Sequence, residues 1–416
     1  MEKVPPTAEQ AARGWSQDWT QHWREHEAQL TSLTSSFDKF KVVPDEKLPE
    51  GGVLHRFDFT GGPLVRAARE QAAKETAAWE QRAITDANNS ALSPLPAGKL
   101  VAVKAATLLT APLVTGAFIP LLGLGTWKSK PGEVRAAVLY AVTQCGYRHI
   151  DCASVYENEG EVGEALAEIF AKWDVSRAEL FITGKLWNAD HAAARVEPAI
   201  QKSLKLLRLS YFDAFLCHWP ISGNRGATLE PPMRETWQAM EAAASKGLVR
   251  VLGVSNFSIR KMEEIQSYAK VPLAISQNEA HPFFRNDAIV DFCNKHNIHF
   301  TAFSPLGSPD SADIFKRGKA PVLLDLPMLH DIAARVGKNT GQVLIRWGLA
   351  QRPTASILPK SVSEGRIKGN AAIDWDLAPD DLAALSGLKE QYRMVHGGVF
   401  LSPAGPYRTL ADLWDE

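Results

Sequence analysis

The sequence has only four cysteines in 416 residues, Cys145, Cys152, Cys217 and Cys293, and no two stand at a metal-type CxxC spacing. That excludes the usual cysteine metal pattern and predicts reduced, mostly buried thiols in an intracellular setting, with no metal site. An excess of one charge is also missing. The formal net charge of −1 removes any global argument for nucleic acid or a membrane surface as partner. No run reaches the roughly 18 consecutive apolar residues of a membrane span. The opening residues MEKVPPTAEQ lack the apolar segment of a secretory signal, and Glu2, Glu9, Asp18 and Glu25 do not suit an acid-poor transit peptide. Cytoplasm is the expectation that remains.

What is present is a globular composition, 45% apolar and 22% charged, in a chain long enough for one barrel of about 300 residues plus an extension. Residues 1–107 differ in texture from the rest. Trp15, Trp19, Trp23, His26, Leu30, Leu33, Phe37 and Phe40 recur at steps of three and four, one stripe of an amphipathic helix. A short alternating run, Val53 to Phe59, reads as a strand, and Leu64 to Ile84 as a second helix carrying Trp79. Asn88-Asn89-Ser90 and Ser93-Pro94-Leu95-Pro96 read as a linker. The tryptophan stripe suits packing against the barrel or the second helix, as aromatic stripes at helical spacing usually do, ahead of the docking of a protein partner.

From about 108 onwards short apolar runs alternate with amphipathic stretches. Gly116 to Phe118 suits a hairpin turn before the first core strand, Pro120–Thr126. Further strands are predicted at Tyr147–Ala153, Leu180–Leu186, Ala214–His218, Val249–Ser255, Leu273–Asn278, His299–Ser304 and Ala355–Pro359. Between them fall helical stretches such as Glu133–Gln144, Glu159–Lys172 and Met233–Ser245. Eight strands alternating with helices predict an α/β fold, a closed (β/α)8 TIM barrel over 108–416. The competitor, an open doubly wound sheet, needs a GxGxxG turn. Gly123-Leu124-Gly125-Thr126-Trp127-Lys128 lacks its third glycine and puts Trp127 where a phosphate would approach.

Barrel chemistry gathers at the C-terminal ends of strands. Those ends carry Trp127, Asp151, Lys185, His218, Ser255, Asn256, Gln277, Ser304 and Lys360. Taken alone, Asp151 suits a loop cap, His218 a core histidine and Tyr156 a surface residue. A lysine buried behind Leu180 to Gly184 needs a carboxylate, and Asp151 on the preceding strand can supply it. An acid, a lysine and a histidine on three adjacent strands, with Tyr156 five residues past the acid, make a proton-donor device. Reduction of a ketone or aldehyde needs a hydride on carbon and a proton on oxygen. The ammonium of Lys185 is expected to lower the phenol's pKa from about 10, Asp151 to hold the ammonium, and His218 to align the carbonyl oxygen.

These segments resemble the aldo-keto reductases over about 108–416. Gly123 to Lys128 is similar to that family's first-strand motif, and His149-Ile150-Asp151-Cys152-Ala153-Ser154-Val155-Tyr156-Glu157-Asn158-Glu159 carries its acid and tyrosine. Ile182-Thr183-Gly184-Lys185-Leu186-Trp187 carries the lysine and His218-Trp219-Pro220 the histidine. The resemblance implies a monomeric NADPH-dependent aldehyde or aldose reductase. It places Thr126, Trp127 and Lys128 beside the cofactor, Ser255, Asn256 and Gln277 on the nicotinamide carboxamide, and Phe303 against the ring. Ser304, Leu306, Ser308 and Asp310 belong to the pyrophosphate loop, with Lys128 and Asp310 as its latch. Lys360, Ser361, Val362, Ser363 and Arg366 form the 2′-phosphate site, whose two cations and hydroxyls point to NADPH over NADH. Asn370 is retained beside Gly369, which stands where the family often has an acid. Trp127, Val155, Trp187, His218 and Trp219 line the substrate pocket. The stretch Ile221 to Pro232 is shorter than the corresponding loop of aldose-reductase-like members, which implies a more open pocket, and the tail Val399 to Glu416 is expected to supply its other wall. An accessory protein that binds NADPH in the barrel and a partner through the N-terminal helix is the alternative.

Overall fold

The computed structural model describes residues 46–47, 53–54, 99–103, 109–223, 226–309, 321–351 and 355–416. The chain divides into two units, Met1–Pro94 and Leu95–Glu416. In the first, Glu46–Lys47 and Val53–Leu54 pair antiparallel. The strand expected over Val53 to Phe59 is thus described for its first two residues. The stripes carrying Trp15, Trp19, Trp23 and Trp79 lie outside the described residues.

In the second unit the strands are β1 (Leu124–Gly125), β2 (His149–Asp151), β3 (Phe181–Leu186) and β4 (Phe212–Cys217), then β5 (Val249–Ser255), β6 (Ile275–Glu279), β7 (His299–Phe303) and β8 (Ser356–Leu358). They form one eight-stranded parallel sheet in sequence order. The first and last strands meet: Ile357 N donates to Leu121 O at 2.7 Å, Gly123 N to Ile357 O at 2.9 Å and Gly125 N to Pro359 O at 3.1 Å. The sheet is a (β/α)8 barrel.

Every residue of β2, β3, β4 and β6 is buried. That explains why β3 and β4 read as mostly apolar runs: one face fills the barrel and the other meets helices. Helices α1 (Val134–Gln144), α2 (Glu159–Lys172), α3 (Ala193–Leu207), α4 (Met233–Ser245), α5 (Ile259–Gln266) and α6 (Asp287–Lys295) follow β1 to β6 in turn. Close packing sets its own demands. A Cβ on Gly163 of α2 would sit 2.1 Å from Leu206 O of α3, and one on Gly184 of β3 would sit 2.5 Å from the Phe212 ring. Only glycine leaves room at either place.

Between β7 and β8 lie α7 (Pro327–Val336) and α8 (Thr340–Gln351); α9 (Glu364–Ala371), α10 (Pro379–Ser386) and α11 (Leu410–Trp414) follow β8. Of these, only α8 belongs to the eight-unit pattern read from the sequence. Helices α7, α8 and α10 build a second apolar cluster around Leu329, Trp347 and Leu385. Before β1, strands Thr110–Pro112 and Phe118–Pro120 pair across Gly116, whose φ of 83° suits the hairpin turn predicted there. Residues 99–103, grouped by texture with the extension, are tied to the barrel: Leu100 N donates to Lys172 O and Ala102 N to the Asp174 carboxylate. Among the described residues no helix is long and apolar enough to cross a membrane, and no group of three His, Cys, Asp or Glu could hold a metal ion. All four cysteines are free.

Candidate active site

The strand ends converge on one cavity of about 940 Å³. Lys185 comes from β3, a strand without a single exposed position, so its ammonium is enclosed and must be satisfied by neighbours. Its Nζ reaches Asp151 Oδ1 at 2.5 Å, the Cys152 carbonyl at 3.1 Å and the Tyr156 hydroxyl at 3.1 Å. The second oxygen of Asp151 accepts from Gln277 Nε2 at 2.8 Å. Burial pulls the ammonium's pKa down, but Asp151 and Tyr156 outweigh it and hold the pKa above the ordinary lysine value. The acid–lysine–tyrosine arrangement expected from three separate segments is present as one connected network.

The direction of the Tyr156 pKa corrects the expectation. The phenol is pushed up to about 12. Burial is the largest cause, Lys185 pulls downward, and Asp151 pushes up again. An ammonium neutralised by a touching carboxylate presents little net field, so desolvation wins. The phenol therefore stays protonated throughout the neutral range. It remains an adequate acid for an alkoxide, a base comparable to hydroxide, whose parent water has a pKa of about 15.7.

His218, just after β4, faces this group. Its ring stands edge-on to Tyr156, with centroids 5.8 Å apart, and edge-on to Trp187 at 5.3 Å. Burial draws its pKa well below the ordinary imidazole value, and Lys185 and His191 add to that. It is a neutral imidazole, able to donate one N–H without carrying a charge. Its Nδ1 is buried without a partner. Asn256, in the left-handed region with φ of 63°, donates through Nδ2 to the His218 carbonyl at 3.0 Å and leaves its own Oδ1 unpartnered.

The cavity wall takes in Trp127, Lys128, Asp151, Val155, Tyr156 and Trp187, then His218, Trp219, Ser255, Asn256, Gln277 and Phe303. Further along it come Ser304, Leu306 and Ser308, and then Lys360, Ser361, Val362, Arg366 and Asn370. Three residues predicted from the sequence are not on that wall. Lys185 reaches it through Tyr156 and Asp151; the Thr126 hydroxyl turns back to the Asp151 carbonyl at 2.8 Å; and Ser363 N donates to Ser361 Oγ at 3.2 Å, at the head of α9. Asp310, and with it the Lys128–Asp310 latch, lies outside the described residues. Lys360 Nζ instead donates to the Lys128 carbonyl at 3.1 Å.

The wall also holds residues that were not singled out, chiefly Asn339 to Gly341 at the start of α8, and Val395. Asn339 Oδ1 accepts from Gln342 N and Gln342 Oε1 from Asn339 N, a reciprocal cap legible in Asn339-Thr340-Gly341-Gln342. Its place on the wall was not legible. The tail supplies part of the wall through Val399 and Phe400. Phe400 stands 5.0 Å from the Trp219 ring and 6.0 Å from Trp187, and the Tyr407 hydroxyl donates to the Pro220 carbonyl at 2.9 Å.

Residues 121–390 match the model of the aldo/keto reductase family. The chain belongs to the aldo-keto reductase family. An aldo/keto reductase of Synechocystis is 44% identical over 317 residues, covering 73% of this chain and 96% of its own length. The rat aldo-keto reductase family 1 member A1 is 42% identical over 297 residues, 68% of this chain and 90% of its own. Among solved structures, an aldo-keto reductase of Bombyx mori in complex with NADP is 36% identical at a TM-score of 0.64, covering 71% of this chain and 96% of that one. The aldose reductase of Schistosoma japonicum has a TM-score of 0.63 at 35% identity, covering 71% and 97%. As an aldo-keto reductase, the chain is an NADP-dependent oxidoreductase acting on carbonyl groups.

Proposed function

We propose that this aldo-keto reductase reduces aldehydes and ketones, aldoses among them, to alcohols with NADPH, and that Tyr156 donates the proton. The observation that carries this reading is the Tyr156–Lys185–Asp151 network opening onto a cavity opposite a neutral His218. The residues present suit the cofactor. Lys360, Ser361 and Arg366 gather two cations and a hydroxyl at one end of the cavity, with Arg366 Nε donating to Ser361 Oγ at 3.3 Å. Near the acid–lysine pair, the unpartnered Asn256 Oδ1 is an acceptor suited to a carboxamide N–H. When bound, dihydronicotinamide supplies the hydride for the carbonyl carbon.

The chain's own residues do the rest. His218 holds the carbonyl oxygen through an imidazole N–H, and the Tyr156 hydroxyl gives that oxygen its proton as negative charge develops there. Lys185 stabilises the phenolate left behind, and Asp151 keeps the ammonium charged and in place. Val155, Trp187, Trp219, Val399 and Phe400 form an apolar lining that excludes water and favours carbonyl compounds with apolar bodies. Steady-state rates over a panel of aldehydes, ketones and sugars, with NADPH and NADH compared, test the reading. Turnover with NADPH preferred is the expected result; NADPH binding without turnover of any carbonyl compound overturns it.

A further inference from the structure

Strand β6 carries two polar side chains on one face, Gln277 and Glu279, two residues apart. Gln277 braces Asp151. Glu279 is 3% exposed, and both oxygens of its carboxylate are engaged. Oε1 accepts from Met394 N at 2.8 Å and lies 2.8 Å from His281 Nε2; Oε2 accepts from Val395 N at 2.7 Å. Two successive backbone N–H groups of a segment 115 residues further along the chain are thus caught on one carboxylate.

The segment it catches leads directly into the pocket wall. Val395 lines the cavity, as do Val399 and Phe400. The tail is tied elsewhere too: Tyr392 N donates to Phe283 O at 2.5 Å, and Trp414 Nε1 donates to the His396 carbonyl at 2.9 Å. The Glu279 contact is the one that joins the tail to the same strand that braces Asp151. It is also made of carboxylate–N–H hydrogen bonds in a buried place, stronger than bonds between neutral groups.

We propose that Glu279 is a positioning residue for specificity: it registers the Val395–Phe400 wall against the proton-donor network, and so sets the size of the apolar substrate body admitted beside Tyr156. The proposal rests on the carbonyl-reductase reading. Glu279 touches neither the reacting oxygen nor the proton donor, so its loss acts on substrate fit and leaves the chemical step intact.

The test compares the parent with Glu279→Gln, which keeps shape but gives up the charge and one acceptor, and Glu279→Asp, which keeps the charge and withdraws it. A bulky aromatic aldehyde and a short aliphatic aldehyde serve as substrates, and NADPH affinity is titrated separately. In Glu279→Gln, KM for the bulky aldehyde should rise about tenfold, with kcat, KM for the short aldehyde and NADPH affinity all within about twofold of the parent. Glu279→Asp should fall between the two. An unchanged KM for the bulky aldehyde overturns the proposal, and so does an equal loss on both aldehydes together with weaker NADPH binding. Amide hydrogen exchange of the peptide spanning 392–400 reads the clamp without turnover. Faster exchange confined to that peptide in Glu279→Gln supports the proposal, and unchanged exchange there overturns it. A protein that reduces no aldehyde but shows the confined exchange change condemns the reductase reading and leaves the clamp standing.

Discussion

Removing the ammonium of Lys185 separates two consequences that its position joins. In Lys185→Met the Asp151 carboxylate remains buried with Gln277 Nε2 as its remaining side-chain donor. Breaking one side of a buried ion pair costs about 3–5 kcal/mol, because the other charge is left uncompensated. Asp151→Asn leaves the mirror-image problem, a buried ammonium whose remaining acceptors, the Cys152 carbonyl, the Tyr156 hydroxyl and the introduced amide oxygen, are all uncharged. The double variant removes both charges at once, and replacing a whole buried pair by neutral groups is often close to neutral. In a unit of this size 1 kcal/mol moves the melting midpoint by about 2 °C. Each single variant should therefore melt about 6–10 °C lower, and the double variant should recover more than half of that loss. Activity should behave differently. All three variants should lose most carbonyl reduction: in Lys185→Met and the double variant Tyr156 has no charged partner for the phenolate it becomes, and in Asp151→Asn the ammonium beside it is no longer held charged and in place. Thermal melts of the four proteins, with NADPH-linked rates on the same samples, make the comparison. A double variant whose loss equals the sum of the singles within about 0.5 kcal/mol would refute the coupling, and retained turnover in Lys185→Met would refute the role.

Two further outcomes follow from other parts of the fold. Arg366→Ala should weaken NADPH by roughly tenfold to a hundredfold and leave NADH nearly unchanged, the loss of one charge-assisted phosphate bond; equal weakening of both cofactors would contradict the phosphate assignment. Burial holds His149 and His191 at about 4 and His299 at about 3. The unfolded chain titrates these rings near 6.5 and so binds more protons than the folded chain below that pH. Stability should be fully present above about 6.5 and fall as pH drops towards 4, by at most about 3 kcal/mol for His149. Unfolding midpoints from pH 7 to 4.5 should show a shallower slope in His149→Gln; an unchanged slope would count against this source.

Much of this was legible in the sequence because the barrel repeats one physical rule. Runs such as Val249–Ser255, and helices such as Glu159–Lys172 and Met233–Ser245, appear at the bounds their patterning implies. The chemistry of the strand ends was legible for the same reason, since polar residues closing apolar runs must face a common mouth. Three features were hidden. Helices α7 and α10 serve a second core that the strand–helix alternation does not require. The upward shift of Tyr156 depends on how completely its surroundings exclude water, which no local pattern encodes. Glu279 reads as one more strand-end acid, because the Met394 and Val395 N–H groups that give it meaning arrive from far along the chain.

The most direct test of the central claim is Tyr156→Phe, assayed for carbonyl reduction and, on the same preparation, for NADPH binding by fluorescence titration. The phenol's hydroxyl accepts from Lys185 at 3.1 Å and opens onto the cavity, so the substitution removes the proton donor and keeps the ring. The account predicts NADPH affinity within about threefold of the parent and turnover reduced at least a hundredfold, the scale of a lost general acid. A variant that binds NADPH as the parent does and keeps most of its rate would contradict the assignment of Tyr156.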